Sequence, residues 1–164
     1  DTNTLTNSYN YKLYSELFDN NISSFSFLLK SASSLSNNDV KLTERLAVPS
    51  NKLRGFESGK IGPKDGNDFV GGNFLAAINL QSTLPILFEN SQNLDAIIFF
   101  DAANVWGVDY DSSIDNGSKV RTSIGIGIDW LTAIGPLSFT LSEVITKQNT
   151  DIEESFRFNL GTTF

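Results

Sequence analysis

Val120-Arg121-Thr122-Ser123-Ile124-Gly125-Ile126-Gly127-Ile128-Asp129-Trp130 alternates without a break between two kinds of residue. Val, Thr, Ile, Ile, Ile and Trp fall on one face, and Arg, Ser, Gly, Gly and Asp on the other. A period of two belongs to a β-strand, whose successive side chains point to opposite sides. The polar face is too small and too hydrophilic for the core of a sandwich. It suits the lumen of a membrane barrel, which turns the apolar face toward lipid. The last segment repeats the pattern, with Phe156, Phe158, Leu160, Thr162 and Phe164 on one side and Arg157, Asn159, Gly161 and Thr163 on the other.

Five further segments read as strands, at about residues 9–18, 22–35, 72–84, 94–106 and 136–146, making about seven in all. Each is close to the roughly ten residues that cross a bilayer at a tilt. The connections alternate in length. Asp19-Asn20-Asn21, Pro85 to Asn93 and Leu131 to Gly135 are short, whereas residues 36–71, 107–119 and 147–153 are mostly longer and more polar. A transmembrane barrel has short periplasmic turns and long external loops, so the alternation orients the chain with its C-terminus in the periplasm. Trp106 then falls near the outer interface, and Trp130 and Phe164 near the inner one. Glu143 shares the apolar phase of Leu137, Phe139 and Leu141, but near the outer end, where a charge costs little.

An odd number of strands leaves unpaired backbone in lipid, which is expensive. Either further strands precede residue 1, or the chain is a soluble β-sandwich serving as an adhesin or structural module. The 164 residues make one unit, 1–164, and 13 Phe and 12 Gly favour short strands over a helical bundle. No apolar run is long enough for a membrane helix. The absence of Met places residue 1 inside a longer precursor.

A net charge of -7 with no basic stripe argues against nucleic acid. Without Cys or His, thiol catalysis, Cys/His zinc sites and a Ser-His relay are excluded, so neither an enzyme nor a metal or cofactor is expected. Asp109-Tyr110-Asp111 with Asp115-Asn116-Gly117 has the wrong spacing for a calcium loop and reads as solvated acids. Gly125-Ile126-Gly127 lacks the third Gly of a dinucleotide fingerprint. Glu153-Glu154 are neighbours that point apart, a poor acid/base pair.

The connection at about 36–71 exceeds ordinary loop lengths, and loops of that size are commonly functional or disordered. It carries Leu53-Arg54-Gly55-Phe56 and then Gly59-Lys60-Ile61-Gly62-Pro63. The Leu-Arg-Gly-Phe step followed by Ile-Gly-Pro resembles the sixth extracellular loop of the BamA family and its relatives in mitochondria, chloroplasts and two-partner secretion. Val70-Gly71-Gly72-Asn73, Phe99-Phe100-Asp101 with Asn104-Val105-Trp106, and Gly135-Pro136-Leu137 before the Phe-ended strand resemble it in the same order. The resemblance implies an all-β, antiparallel transmembrane β-barrel in the bacterial outer membrane. This chain is then its C-terminal part, about seven strands of a roughly sixteen-stranded barrel.

In that family the loop folds into the lumen and its Arg pairs with carboxylates on the wall. Arg54 is the matching Arg and Asp101 the matching acid, on an inward phase opposite Phe100 and Trp106. A second wall acid aligns with Gln81, which is neutral here, so the single Arg54–Asp101 pair is expected to hold the loop. The terminal strand, with Phe156, Phe158, Leu160 and Phe164, resembles the β-signal of assembly clients. In the family this strand pairs poorly with the first strand and opens a lateral gate, where its free edge can template an incoming strand. The implied function is insertion of outer-membrane proteins, with unfolded barrel clients, outer-membrane lipid and periplasmic assembly lipoproteins as partners. A secretion or translocation barrel of the same superfamily is the near alternative, and a passive porin fits the loop motif poorly.

Overall fold

The computed structural model describes residues 3–88, 91, 93–111, 113–114, 119–133 and 135–161. Phe164, expected to end the terminal pattern, lies outside them. In chain order the strands are β1 (Thr4–Ser15), β2 (Ser23–Ser34), β3 (Gly55–Phe56), β4 (Lys64–Asp65), β5 (Asp68–Phe69), β6 (Phe74–Thr83), β7 (Leu94–Trp106), β8 (Arg121–Thr132), β9 (Gly135–Thr146), β10 (Glu153–Glu154) and β11 (Phe156–Leu160). Seven of them form one sheet in the order β1-β2-β6-β7-β8-β9-β11. Every neighbouring pair is antiparallel. The rest are two-residue ribbons, β10 on β3 and β4 on β5. A sandwich needs two sheets face to face, so that alternative falls.

The alternation in β8 sorts its side chains as expected. Ile126 is 57% and Trp130 44% exposed, whereas Arg121 and Ser123 are buried. In water such a row of exposed Ile and aromatic side chains is unfavourable; against lipid it is the stable arrangement. Trp106 stacks on Phe74 at one end of the sheet, and Trp130 stands opposite Leu94 at the other. Glu143 lies on the outer face opposite Ile124, close to a bulge between Thr122 and Ser123.

β1 begins earlier than the pattern suggests. Thr4 to Ser8 carry little apolar signal, but the ladder with β2 runs from Thr4↔Ser34 to Ser15↔Ser23. At the short turn before β2, Asn20 adopts φ 61, a left-handed conformation that Asn tolerates. Asn21 then donates to Ser82 Oγ and the Thr83 carbonyl, tying the turn to the end of β6.

The inner face is not an open, wet surface. The long connection between β2 and β6 lies across it, and Val48, Leu53, Phe56 and Ile61 are buried there with Leu28, Leu75, Ala77, Ala103 and Val105. Four such side chains contribute on the order of 5–10 kcal/mol relative to exposure. This outweighs what any single buried ion pair adds net. The polar contacts therefore fix where the loop sits, and the apolar ones supply most of the holding free energy.

Candidate functional site

Arg54 is received by three adjacent strands. Asn79 of β6, Asp101 of β7 and Ser123 of β8 stand side by side in register on the inner face. Arg54 Nε donates to Asp101 Oδ2 at 2.7 Å and Nη2 to Oδ1 at 2.8 Å, a two-pronged pairing. Its backbone N–H donates to Oδ2 as well, at 3.0 Å. Asn79 Nδ2 adds a further bond to Oδ1 at 2.9 Å. On the other side Ser123 Oγ donates to the Arg54 carbonyl at 2.5 Å. The carboxylate is fully buried and surrounded by donors, the condition under which a buried charge is tolerated.

Gln81 also belongs to the site. Its Oε1 accepts from Arg54 Nη1 at 2.8 Å, so the neutral residue still occupies the third prong of the guanidinium. The expectation that one ion pair alone holds the loop is therefore corrected. Leu53 and Phe56 anchor the motif on either side of Arg54 within the apolar cluster. Gly55 lets the backbone approach the wall: its φ is 90°, and a Cβ there would lie 3.0 Å from that of Ser123.

Three contributors carried no assigned role in the sequence reading. Phe99 lies inward two residues before Asp101, and the Arg54 guanidinium sits 3.5 Å from its ring centroid, a cation–π contact. Gly125, opposite Phe99, leaves space for that ring, since a Cβ there would stand 2.3 Å from it. The small residues of β8 thus make room for a neighbour's aromatic ring. Phe99 was detectable from the inward phase it shares with Asp101.

The second contributor is another buried ion pair. Arg121, at the outer end of β8, donates from Nε and Nη2 to Asp151 at 2.9 and 3.0 Å. Asp151 also accepts from the Gln148 N–H at 2.6 Å, and Arg121 Nη1 bonds Asn104 Oδ1 at 2.6 Å. The third is β10, which joins the loop's β3 through Glu153↔Phe56 and Glu154↔Gly55.

Asp109, read as a solvated acid, instead fastens the outer loops. It accepts from the Val40 N–H, Arg45 Nη2 and Asn73 Nδ2 at 2.8, 2.8 and 2.9 Å. Partial burial pushes its carboxyl upward, but the bonds from Val40 and Asn73 and the Arg45 charge outweigh that and hold it below its ordinary value.

Phe156, Phe158 and Leu160 of β11 are about half exposed on the outer face. The β11 ladder with β9 runs from Phe156↔Leu141 to Leu160↔Leu137, and the Ser142 and Gly161 N–H groups continue it by donating to the Ser155 and Pro136 carbonyls at 2.8 Å each. Among the described residues its other edge has no strand beside it. The same holds for β1 at the far side of the sheet.

The sequence matches the model of the Omp85 superfamily domain over residues 1–164. The chain belongs to the Omp85 superfamily. Within it, similar curated proteins include the outer membrane protein assembly factor BamA of Neisseria meningitidis serogroup B, 30% identical over 68% of this chain and 17% of that protein. BamA of Neorickettsia risticii is 26% identical over 70% of the chain and 16% of its own length. A SAM50-like protein of Schizosaccharomyces pombe is 30% identical over 80% of the chain and 29% of its length. Among solved structures, BamA of Haemophilus ducreyi lacking POTRA domains 1–3 superposes with a TM-score of 0.85 at 29% identity. That alignment covers 96% of this chain and 35% of the solved one. The chain thus spans less than a third of the length of these curated relatives. As an Omp85 barrel segment it corresponds to the C-terminal region of the BamA barrel, it lies in the outer membrane, and the exposed face of its sheet is the lipid face.

Proposed function

We propose that this chain is the C-terminal part, 1–164, of one barrel domain that inserts outer-membrane proteins, offering β11 as a template for client strands. The two bacterial relatives are outer membrane protein assembly factors. The single observation that carries the templating reading is the alternation of β11, which turns Phe156, Phe158 and Leu160 outward, about half exposed, and Arg157 inward. An unfolded client entering lipid carries backbone N–H and C=O groups that cost several kcal/mol each if left unpaired. A strand edge beside the membrane satisfies them by β-augmentation, with no covalent step and no cofactor. Leu53, Arg54, Gly55 and Phe56, seated on Asp101 and Gln81, keep the wall behind that edge in one arrangement. Phe156, Phe158 and Leu160 of β11 meet client and lipid, and Phe164, outside the described residues, completes the aromatic-ended pattern in the sequence. Periplasmic assembly lipoproteins are the expected accessory partners.

The test uses the complete protein in cells. Arg54→Ala and Asp101→Asn are made singly and together, and outer-membrane barrel levels and viability are followed. Each single change is expected to lower barrel assembly, and the double to add little, because the two side chains act as a unit. Normal barrel assembly with failed export of one dedicated partner transfers the reading to a secretion barrel. No effect of any kind overturns the role of the loop.

A further inference from the structure

Arg157 sits on the inner side of β11, between two outward Phe residues. Its side chain is 10% exposed, so its donors have little access to water and must be met by protein. Nε donates to Glu154 Oε2 at 2.7 Å. Nη1 and Nη2 donate to the carbonyls of Ser50 and Phe56, both at 2.5 Å. These two acceptors bracket Leu53-Arg54-Gly55, the piece of loop seated on Asp101. A carbonyl moves only with its backbone, so a guanidinium bound to two of them follows the path of the loop between them. In the sheet itself β11 is paired with β9 from Phe156↔Leu141 to Leu160↔Leu137. The charge-assisted bonds from Arg157 tie the same strand to the loop as well.

We propose that Arg157 is a positioning residue that couples the seating of the loop to the set of β11. With Arg54 docked, the Ser50 and Phe56 carbonyls stand where Arg157 grips them and β11 is held against β9. With the loop displaced, Arg157 loses both acceptors and β11 loosens. The inference rests on the reading of β11 as the strand offered to clients, and gives that strand a rigidity set by the loop. A second route is built into the same region, because β10 joins β11 through Ser155 and pairs with β3. The experiment has to separate the two.

The measurement is hydrogen exchange at the β11 amides of the full-length protein in detergent or bilayer, without clients. Arg54→Ala is expected to speed exchange over 156–160 about tenfold, the scale set by losing a charged hydrogen bond. Arg157→Met is expected to do the same there and to speed exchange at the loop amides of residues 50–56. The double variant is expected to exchange at β11 no faster than Arg157→Met alone. Arg157→Lys, which keeps the charge but not the fork, is expected to restore part of the protection; it replaces Met in the cycle if the Met variant does not fold. Unchanged β11 exchange in Arg54→Ala overturns the proposal. So does full addition of the two effects, which assigns the coupling to β10. Because no client is present, either result leaves the insertase reading standing, whereas normal barrel assembly in cells with coupled exchange intact sinks that reading alone.

Discussion

Two buried ion pairs hold the outer segments onto the inner wall, and they are built in opposite senses. At Arg54–Asp101 the loop brings the cation and the wall the anion; at Arg121–Asp151 the wall brings the cation and the loop the anion. Their surroundings differ as well. The Arg54 side chain keeps 12% exposure, the Gln81 amide and the Phe99 ring. Arg121 and Asp151 are 1% and 0% exposed. Each cation keeps an acceptor on Nη1 if its acid is lost, Gln81 for Arg54 and Asn104 with the Lys119 carbonyl for Arg121, so the pairs differ in access to water and in the Phe99 ring that only Arg54 has.

The largest effect tests that difference. Asp151→Ala leaves Nε and Nη2 of a buried guanidinium without acceptors or water and is expected to cost about 3–5 kcal/mol, read from denaturant unfolding of the detergent-solubilised full-length protein. Asp101→Ala, with Gln81 and the Phe99 ring still in place, is expected to cost about 2–3 kcal/mol. If the order is reversed, the contrast drawn from exposure is broken.

The backbone at the first pair supplies a smaller test. Gly55→Ala meets both a positive φ and the Ser123 side chain, whereas Gly59, at φ 71, has nothing within 4 Å of the Cβ it would gain. Both substitutions carry the backbone strain of about 1–2 kcal/mol. Only Gly55→Ala is expected to expose residues 50–56 to protease, and equal cleavage of both variants contradicts the close approach.

The smallest effect concerns acid. Asp109 has a folded-state value below the ordinary 3.8, so its contribution is present above that value and fades as pH falls through the lowered one. Protease cleavage of residues 35–46 and 107–111 is expected to rise below about pH 4, and Asp109→Asn should remove that rise. Asp109 belongs to neither ion pair of the comparison, so a pH response that survives in Asp109→Asn has another source.

Much of the sheet was legible in the sequence because strands buried on one side only advertise themselves by alternation. β8 is the clearest case. The start of β1 was hidden because Thr4 to Ser8 gain their place from the neighbouring ladder, not from apolar phase. Arg54, Asp101 and Gln81 were brought together by motif resemblance and inward phase, and the structure places them within hydrogen-bond distance. Asp151 was hidden because an acid in a polar connection looks the same whether solvated or buried. The Arg157 contacts were hidden for a different reason: their acceptors are main-chain carbonyls, which every residue possesses. Gly125 was visible as a small residue, but the need for it lies in a ring on another strand.

Because Asn79, Asp101 and Ser123 come from three different strands, the landing place for Arg54 exists only when all three are aligned. A slip by one residue in β7 would turn Asp101 outward and present Phe100 or Ala102 to the loop instead. The loop precedes all three strands in the chain, yet it has nowhere to dock until they have zipped together. Its guanidinium thus acts as a checksum on the assembly of its own barrel, closing only over a sheet that has been put together correctly.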